Sequence, residues 1–308
     1  MHFMTVMTIA ILVIGILVLF VAVVDFADTH RLVTRHYTLE TEKLSRDVTI
    51  CLISDLHEAE CGKDNIRLIT AVQEAKPDLV ISAGDLVTAH GRREDVSTKE
   101  ALHLTEVLAK DFPLYAAHGN HEWKLERDAE ETYGDLLQRF EEALRDRGVV
   151  LLRDEKKAAK AEGLEICGLE IPIDVIKKEP GAVFTVDDIR MRLGEPDPGR
   201  FTLLIAHDPA QFEAYVAWGA DLVLSGHVHG GIVRLPLIGG LVAPPFELFP
   251  RYDAGLFAGN GPSHVTRMII SAGLGEHTLP LRFNNPRELV VIRLKGTGSG
   301  TGSKTAGV

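Results

Sequence analysis

Residues that can bind a metal ion recur in five short blocks of this 308-residue chain. They are Ser54-Asp55-Leu56-His57, Gly84-Asp85, His118-Gly119-Asn120-His121-Glu122, His207-Asp208 and Gly226-His227-Val228-His229-Gly230-Gly231. Taken singly, each block has an ordinary explanation. An Asp after a strand commonly caps a helix or makes a turn. His207 alone reads as a hydrogen-bonded turn histidine and Asn120 as a turn residue. His227 and His229 are more specific, because residues at i and i+2 point the same way in an extended chain. Five such blocks in succession are hard to obtain by chance, so they are expected to converge on one site.

The elements that must bring them together can be read from hydrophobic periodicity. Each block follows a short apolar, β-branched run: Val48–Ser54, Asp78–Ala83, Pro113–Ala117, Phe201–Ala206 and Asp221–Ser225. Such runs are buried strands. Between them, helical spacing predicts helices at Ile66–Glu74, Ser97–Lys110, Glu126–Arg147, Val186–Leu193 and Pro209–Trp218, with further strands at Leu164–Gly168, Val265–Ser271 and Leu289–Leu294. Alternating strands and helices predict an α/β layered domain. In open α/β sheets the carboxyl ends of the strands line one edge, where ligands bind.

The ordered set resembles the calcineurin-like metallophosphoesterase superfamily, from about Val48 to Leu294. The resemblance implies a four-layer α/β/β/α sandwich. It also implies two divalent metal ions: Asp55, His57, Asp85 and His229 on one, with Asp85 bridging and Asn120, His207 and His227 completing the second. The mixed nitrogen and oxygen donors suit Mn²⁺, Fe or Zn²⁺ better than Ca²⁺. The implied activity is hydrolysis of a phosphodiester or phosphomonoester by in-line attack of a metal-bridging hydroxide, with His121 protonating the leaving oxygen. Catalytic roles are therefore expected for His121, Asp85 and Asn120. Protein Ser/Thr phosphatases of this superfamily continue Gly-Asp with Val-Asp-Arg-Gly, whereas here Leu86-Val87-Thr88-Ala89 follows. The segments around Leu235–Ile238, Phe249-Pro250, Gly273–Gly275 and Pro280–Phe283 look like the bacterial membrane-associated phosphodiesterase branch, of the YaeI/YkuE type. In that setting His118, His90, His277 and Arg282 are candidate substrate contacts. Two rivals share the fold: a pyrophosphatase acting on a lipid-linked nucleotide sugar, and a catalytically silent scaffold. The full ligand set argues against the scaffold.

Composition bounds the partners. The chain carries 33 Lys and Arg against 44 Asp and Glu, a formal charge of −11, with no basic cluster. A nucleic-acid-binding surface is not expected, and no protein partner is predicted. Cys51, Cys61 and Cys167 are widely spaced and imply no disulfide framework. Val6 to Val24 is uncharged and apolar, and about 20 such residues cross a bilayer core as a helix. No Lys or Arg precedes it and no small-residue cleavage site follows. Residues 1–26 therefore read as a single-pass cell-membrane anchor. Arg31, Arg35, Lys43 and Arg46 follow it, which favours a cytoplasmic domain. Residues 27–46 read as a linker, 47–295 as the catalytic domain and 296–308 as a flexible Gly/Ser/Thr tail. The apolar run Pro244–Pro250 is a candidate lip over the site for an amphiphilic phosphate-ester substrate.

Overall fold

A computed structural model describes residues 2–243, 247–276 and 281–298. The strands in chain order are β1 (Leu32–Thr41), β2 (Val48–Ile53), β3 (Leu79–Ser82), β4 (Leu114–Ala116), β5 (Val150–Leu151), β6 (Glu155–Ala158), β7 (Leu164–Leu169), β8 (Phe201–Ala206) and β9 (Leu222–Ser225). Two short hairpins follow, β10 (Arg234–Leu235) with β11 (Gly239–Gly240), and β12 (Val242–Ala243) with β13 (Glu247–Leu248). The last strands are β14 (Gly255–Asn260), β15 (Val265–Ile270) and β16 (Arg287–Gly296). The helices are α1 (His2–His30), α2 (Ile66–Ala75), α3 (Lys99–Asp111), α4 (Asn120–Arg127), α5 (Leu136–Asp146), α6 (Ile173–Ile176), α7 (Val186–Leu193) and α8 (Phe212–Trp218).

Two six-stranded sheets form the centre, ordered β1-β16-β2-β3-β4-β5 and β14-β15-β9-β8-β7-β6. The strands are apolar on both faces, and their two-residue period sorts them into layers. Ile50, Leu52, Ile81, Ile205 and Leu224 fill the core between the sheets. The alternating Cys51, Ile53 and Val80 meet Leu68, Leu104 and Phe140 of α2, α3 and α5. Leu204, Val223 and Ile270 meet Ile189, Phe212 and Trp218 of α7 and α8 on the far side. The result is the expected four-layer α/β/β/α sandwich.

Three boundaries differ from expectation. Residues 27–46 are no linker: α1 runs on to His30, and β1 pairs in parallel with β16 from Leu32↔Arg287 to Thr41↔Gly296. β1 is a sheet edge with mostly exposed or half-exposed side chains, so it lacks the apolar run of a central strand. The single helix expected over Glu126–Arg147 is two, α4 and α5, separated by a π turn and by Gly134 at φ 58. Order also extends past 296, where Thr297 and Gly298 donate their N–H groups to Thr41 and Leu44 carbonyls. The rest of the expected tail, and Pro244 to Phe246 of the expected lip, lie outside the described residues.

Candidate metal centre

β2, β3 and β4 are mutually parallel, as are β8 and β9, so their carboxyl ends open on the same edge of each sheet. Asp55 and His57 follow β2, Asp85 follows β3, Asn120 opens α4 after β4, His207 follows β8, and His227 and His229 follow β9. Asp55, His57, Asp85, His227 and His229 all have positive φ, between 45° and 71°. Non-glycine residues adopt that region at a cost and concentrate in it at functional sites. Neighbouring glycines let the loops close. A Cβ on Gly226 would lie 1.9 Å from Ser54 Oγ and 2.3 Å from Asp55 Oδ2, and one on Gly119 would lie 2.2 Å from Asp85 Oδ1.

The side chains converge through their acceptor atoms. His57 Nε2 lies 3.1 Å from His229 Nε2 and 3.6 Å from Asp85 Oδ2. Asp55 Oδ1 lies 3.5 Å from His229 Nε2 and 3.8 Å from His207 Nε2, and Asp85 Oδ2 lies 3.1 Å from His207 Nε2. Among the described residues, three groups could each hold an ion: Asp55 with His57 and His229, His57 with Asp85 and His121, and Asp85 with His207 and His227. Asp85 belongs to two of them, so a single carboxylate stands between the histidines of both sheets.

Backbone carbonyls fix the ring tautomers. His207 Nδ1 lies 2.6 Å from the Ala83 carbonyl and His229 Nδ1 lies 3.2 Å from that of Gly275. A carbonyl only accepts, so each Nδ1 carries a proton, and each ring in its neutral form would turn an Nε2 lone pair inward. Asn120 Oδ1 is buried without a hydrogen-bond donor. Lone pairs and carboxylate oxygens aimed at one another repel unless positive charge lies among them. The residues present therefore fit divalent metal ions. Titration reflects the same demand. Burial alone would lower the pKa of His207, but Asp85 and Asp55 drive it up to about 10. Burial would raise that of Asp85, yet His207, His121 and His57 hold it well below the carboxylate range. Asp55 is pushed up to about 6 by burial, which the nearby His207 only partly offsets.

His121 is half-buried beside these groups, its ring edge-on to His57 at 4.8 Å. The Ala89 N–H donates to its Nδ1 at 2.9 Å, so the neutral ring carries its proton on Nε2. The other candidates fare differently. His118 is not a substrate contact: it is 4 % exposed, clamped between Glu170 (2.8 Å) and Glu141 (3.3 Å). Arg282 is not one either: it is 1 % exposed, its guanidinium spent on the carbonyls of Ala272, Gly275 and Asn285. His90 is exposed, with Nδ1 on the Thr88 carbonyl. His277 lies outside the described residues.

Several supporting residues had no assigned role in the sequence. Glu122, 2 % exposed, accepts four backbone N–H bonds: from Leu86 and Val87 on Oε1, and from Asp85 and Gly119 on Oε2. It ties the Asp85 loop to the start of α4. As third residue of a helix capped by Gly119 it accepts the cap N–H, one half of a capping box, but without Ser or Thr at the cap the sequence lacked the full signature. Ser54 Oγ donates to Asp55 Oδ2 at 2.5 Å. Asn285 Nδ2 donates to the His229 carbonyl while its own N–H donates to Asp28 of α1.

Comparison with known proteins agrees with this geometry. The family model for the calcineurin-like phosphoesterase matches residues 48–231. An uncharacterised metallophosphoesterase of Aquifex aeolicus (strain VF5) is 28% identical, covering 88% of this chain and 95% of its own. The uncharacterised metallophosphoesterase YkuE of Bacillus subtilis (strain 168) is 25% identical, covering 88% of each chain. The phosphodiesterase YaeI of Escherichia coli (strain K12) is 27% identical, covering 81% of this chain and 78% of its own. This chain, whose matched segment contains all seven converging Asp, Asn and His residues, belongs to the calcineurin-like phosphoesterase family.

Proposed function

We propose that this protein is a membrane-anchored phosphodiesterase working with two divalent cations, of which Mn²⁺, Fe and Zn²⁺ suit the donor set. The observation that carries the reading is the convergence of histidine lone pairs and carboxylate oxygens around Asp85. Asp55, His57, Asp85 and His229 would hold one cation, and Asp85, Asn120, His207 and His227 the other. When bound, such a pair supplies Lewis-acid activation of water and neutralises charge on phosphoryl oxygens. The protein's own groups do the rest. Ser54 and the His227 N–H orient Asp55, and the His121 N–H orients Asp85. The Nε2 proton of His121 is the one delivered to the leaving oxygen. The preference for diesters is supported by the name of the Escherichia coli relative. The anchor is supported by α1, which is long and apolar enough to cross a bilayer from Met4.

The test is hydrolysis of bis-p-nitrophenyl phosphate and p-nitrophenyl phosphate by the full chain in detergent, stripped of metal and then supplied with Mn²⁺. We expect Mn²⁺-dependent turnover that favours the diester and is lost in Asp85→Asn. Equal turnover in the mutant, or a clear preference for the monoester, contradicts the reading.

A further inference from the structure

The way the domain meets α1 identifies a second membrane-facing element. The apolar part of α1 ends at Val24, before Asp25. The domain grips the helix on both sides of that boundary. Below it, Arg282 and Asn285 donate backbone N–H groups to Asp25 and Asp28. Above it, the ring of Phe283 meets Phe20 edge-on at 6.2 Å. Phe20 lies four residues before Val24, so Phe283 stands about 6 Å to the apolar side of the helix boundary at 1.5 Å per residue. A bilayer that covers α1 up to Val24 therefore also takes in the rim of the domain at Phe283.

That rim carries exposed apolar residues among charged ones and leads to the metal centre. Main-chain hydrogen bonds step from Phe283 to Arg234, from Val233 to Leu241, and from Leu241 to Phe249. Pro250 then lines a cavity of about 350 Å³ shared with His227 and Asp208. Along this path Leu237 is fully exposed, and Ile238, Leu248 and Phe249 are 58–64% exposed. Leu237 and Phe249 also hold positive φ, 68° and 52°. Bulky apolar residues in left-handed turns facing water gain nothing from packing, and such exposed patches mark interaction surfaces.

We propose that Phe283, the Leu237–Ile238 hairpin tip and the Leu248–Phe249 turn lie in the acyl–headgroup boundary of the bilayer, beside α1. The cavity bearing His227 then opens at the lipid surface, and the phosphate ester it receives is a membrane-resident amphiphile whose acyl part follows this rim. The inference rests on the anchor reading of α1.

The test uses the full chain in phosphatidylcholine vesicles, labelled with an environment-sensitive fluorophore at single introduced cysteines. The three native cysteines are buried, so Leu237→Cys, Ile238→Cys, Met191→Cys and Ile14→Cys label selectively. Probes at 237 and 238 are expected to be quenched by lipids spin-labelled high on the acyl chain, the probe at 14 by lipids labelled deep, and the probe at 191 by aqueous iodide alone. Iodide quenching at 237 and 238 equal to that at 191, with 14 still in lipid, overturns this inference and spares the anchor. Iodide quenching at 14 overturns both. A second arm pairs Leu237→Ser with Ile238→Ser. Turnover of a diacylated phosphodiester in vesicles should fall roughly tenfold as apolar insertion is lost, with bis-p-nitrophenyl phosphate unchanged. Equal loss on both substrates refutes the substrate claim.

Discussion

Replacing Glu122 by Gln removes one charged oxygen from a buried carboxylate that no solvent can substitute. Each Glu122 oxygen accepts two backbone N–H bonds, at 2.8 and 3.3 Å on Oε1 and at 3.0 and 2.8 Å on Oε2. Whichever way the amide turns, its NH₂ faces two donors, and two buried N–H groups lose their acceptor. Each such loss costs about 1–3 kcal/mol, so the substitution should cost about 2–6 kcal/mol. That is a large part of the roughly 5–15 kcal/mol that holds a typical domain together. The assay is thermal unfolding of the full chain in detergent with a chelator present, followed by tryptophan fluorescence; Trp123 is the adjacent residue. A midpoint drop on the order of 10 °C is expected, larger in Glu122→Ala. Because Glu122 fixes the Asp85 N–H, Mn²⁺ affinity should fall at least about tenfold as well. A Gln variant that melts within about 2 °C of the parent and binds Mn²⁺ as tightly would refute the view that Glu122 joins the two loops.

Two further predictions test the surroundings of the site. Asp28 of α1 accepts the Asn285 N–H, and Asn285 holds the His229 carbonyl; Asp28→Ala should therefore weaken Mn²⁺ binding severalfold by titration, and unchanged binding would show that α1 does not brace the site. The His118 cluster sets a pH dependence. Burial lowers the pKa of His118, but Glu141 and Glu170 raise it from 6.5 to about 9, so its contribution is complete below pH 6.5 and is lost as pH rises through 9. Glu141, raised by burial but pulled by His118 down to about 2, contributes above pH 4.5 and fails as pH falls through 2. Unfolding free energy measured by denaturant should therefore decline between pH 6.5 and 9.5, more steeply than in His118→Gln; parallel curves would contradict the pairing.

What the sequence made legible follows from where the physics is local. Central strands such as β2 and β3 are apolar on both faces, and the polar residues that follow them stand out against that background. The positions of Asp55, His57, Asp85, Asn120, His207, His227 and His229 could be read for that reason. Edge strands carry no such signature: β1 reads Leu-Val-Thr-Arg-His-Tyr-Thr-Leu-Glu-Thr, with no continuous apolar run, and its partner β16 lies some 250 residues away. The α4–α5 break depends on one glycine turn inside an otherwise continuous amphipathic pattern. His118 and Arg282 were misread because charge in a sequence implies exposure until its partners are known. Those partners are Glu141 and Glu170 for His118, and three carbonyls for Arg282. Glu122 was visible as a residue, but its reach to the Asp85 loop exists only once β3 and β4 are paired.

The central claim is that Asp85 holds two cations together, and the most direct measurement counts them. The full chain, stripped and then equilibrated with Mn²⁺, should carry two ions per chain by elemental analysis after removal of free metal. Asp85→Asn should carry fewer than two while remaining folded by its thermal transition. A parent protein that binds one ion or none, or an Asp85→Asn variant that still binds two with parental affinity, would contradict the account.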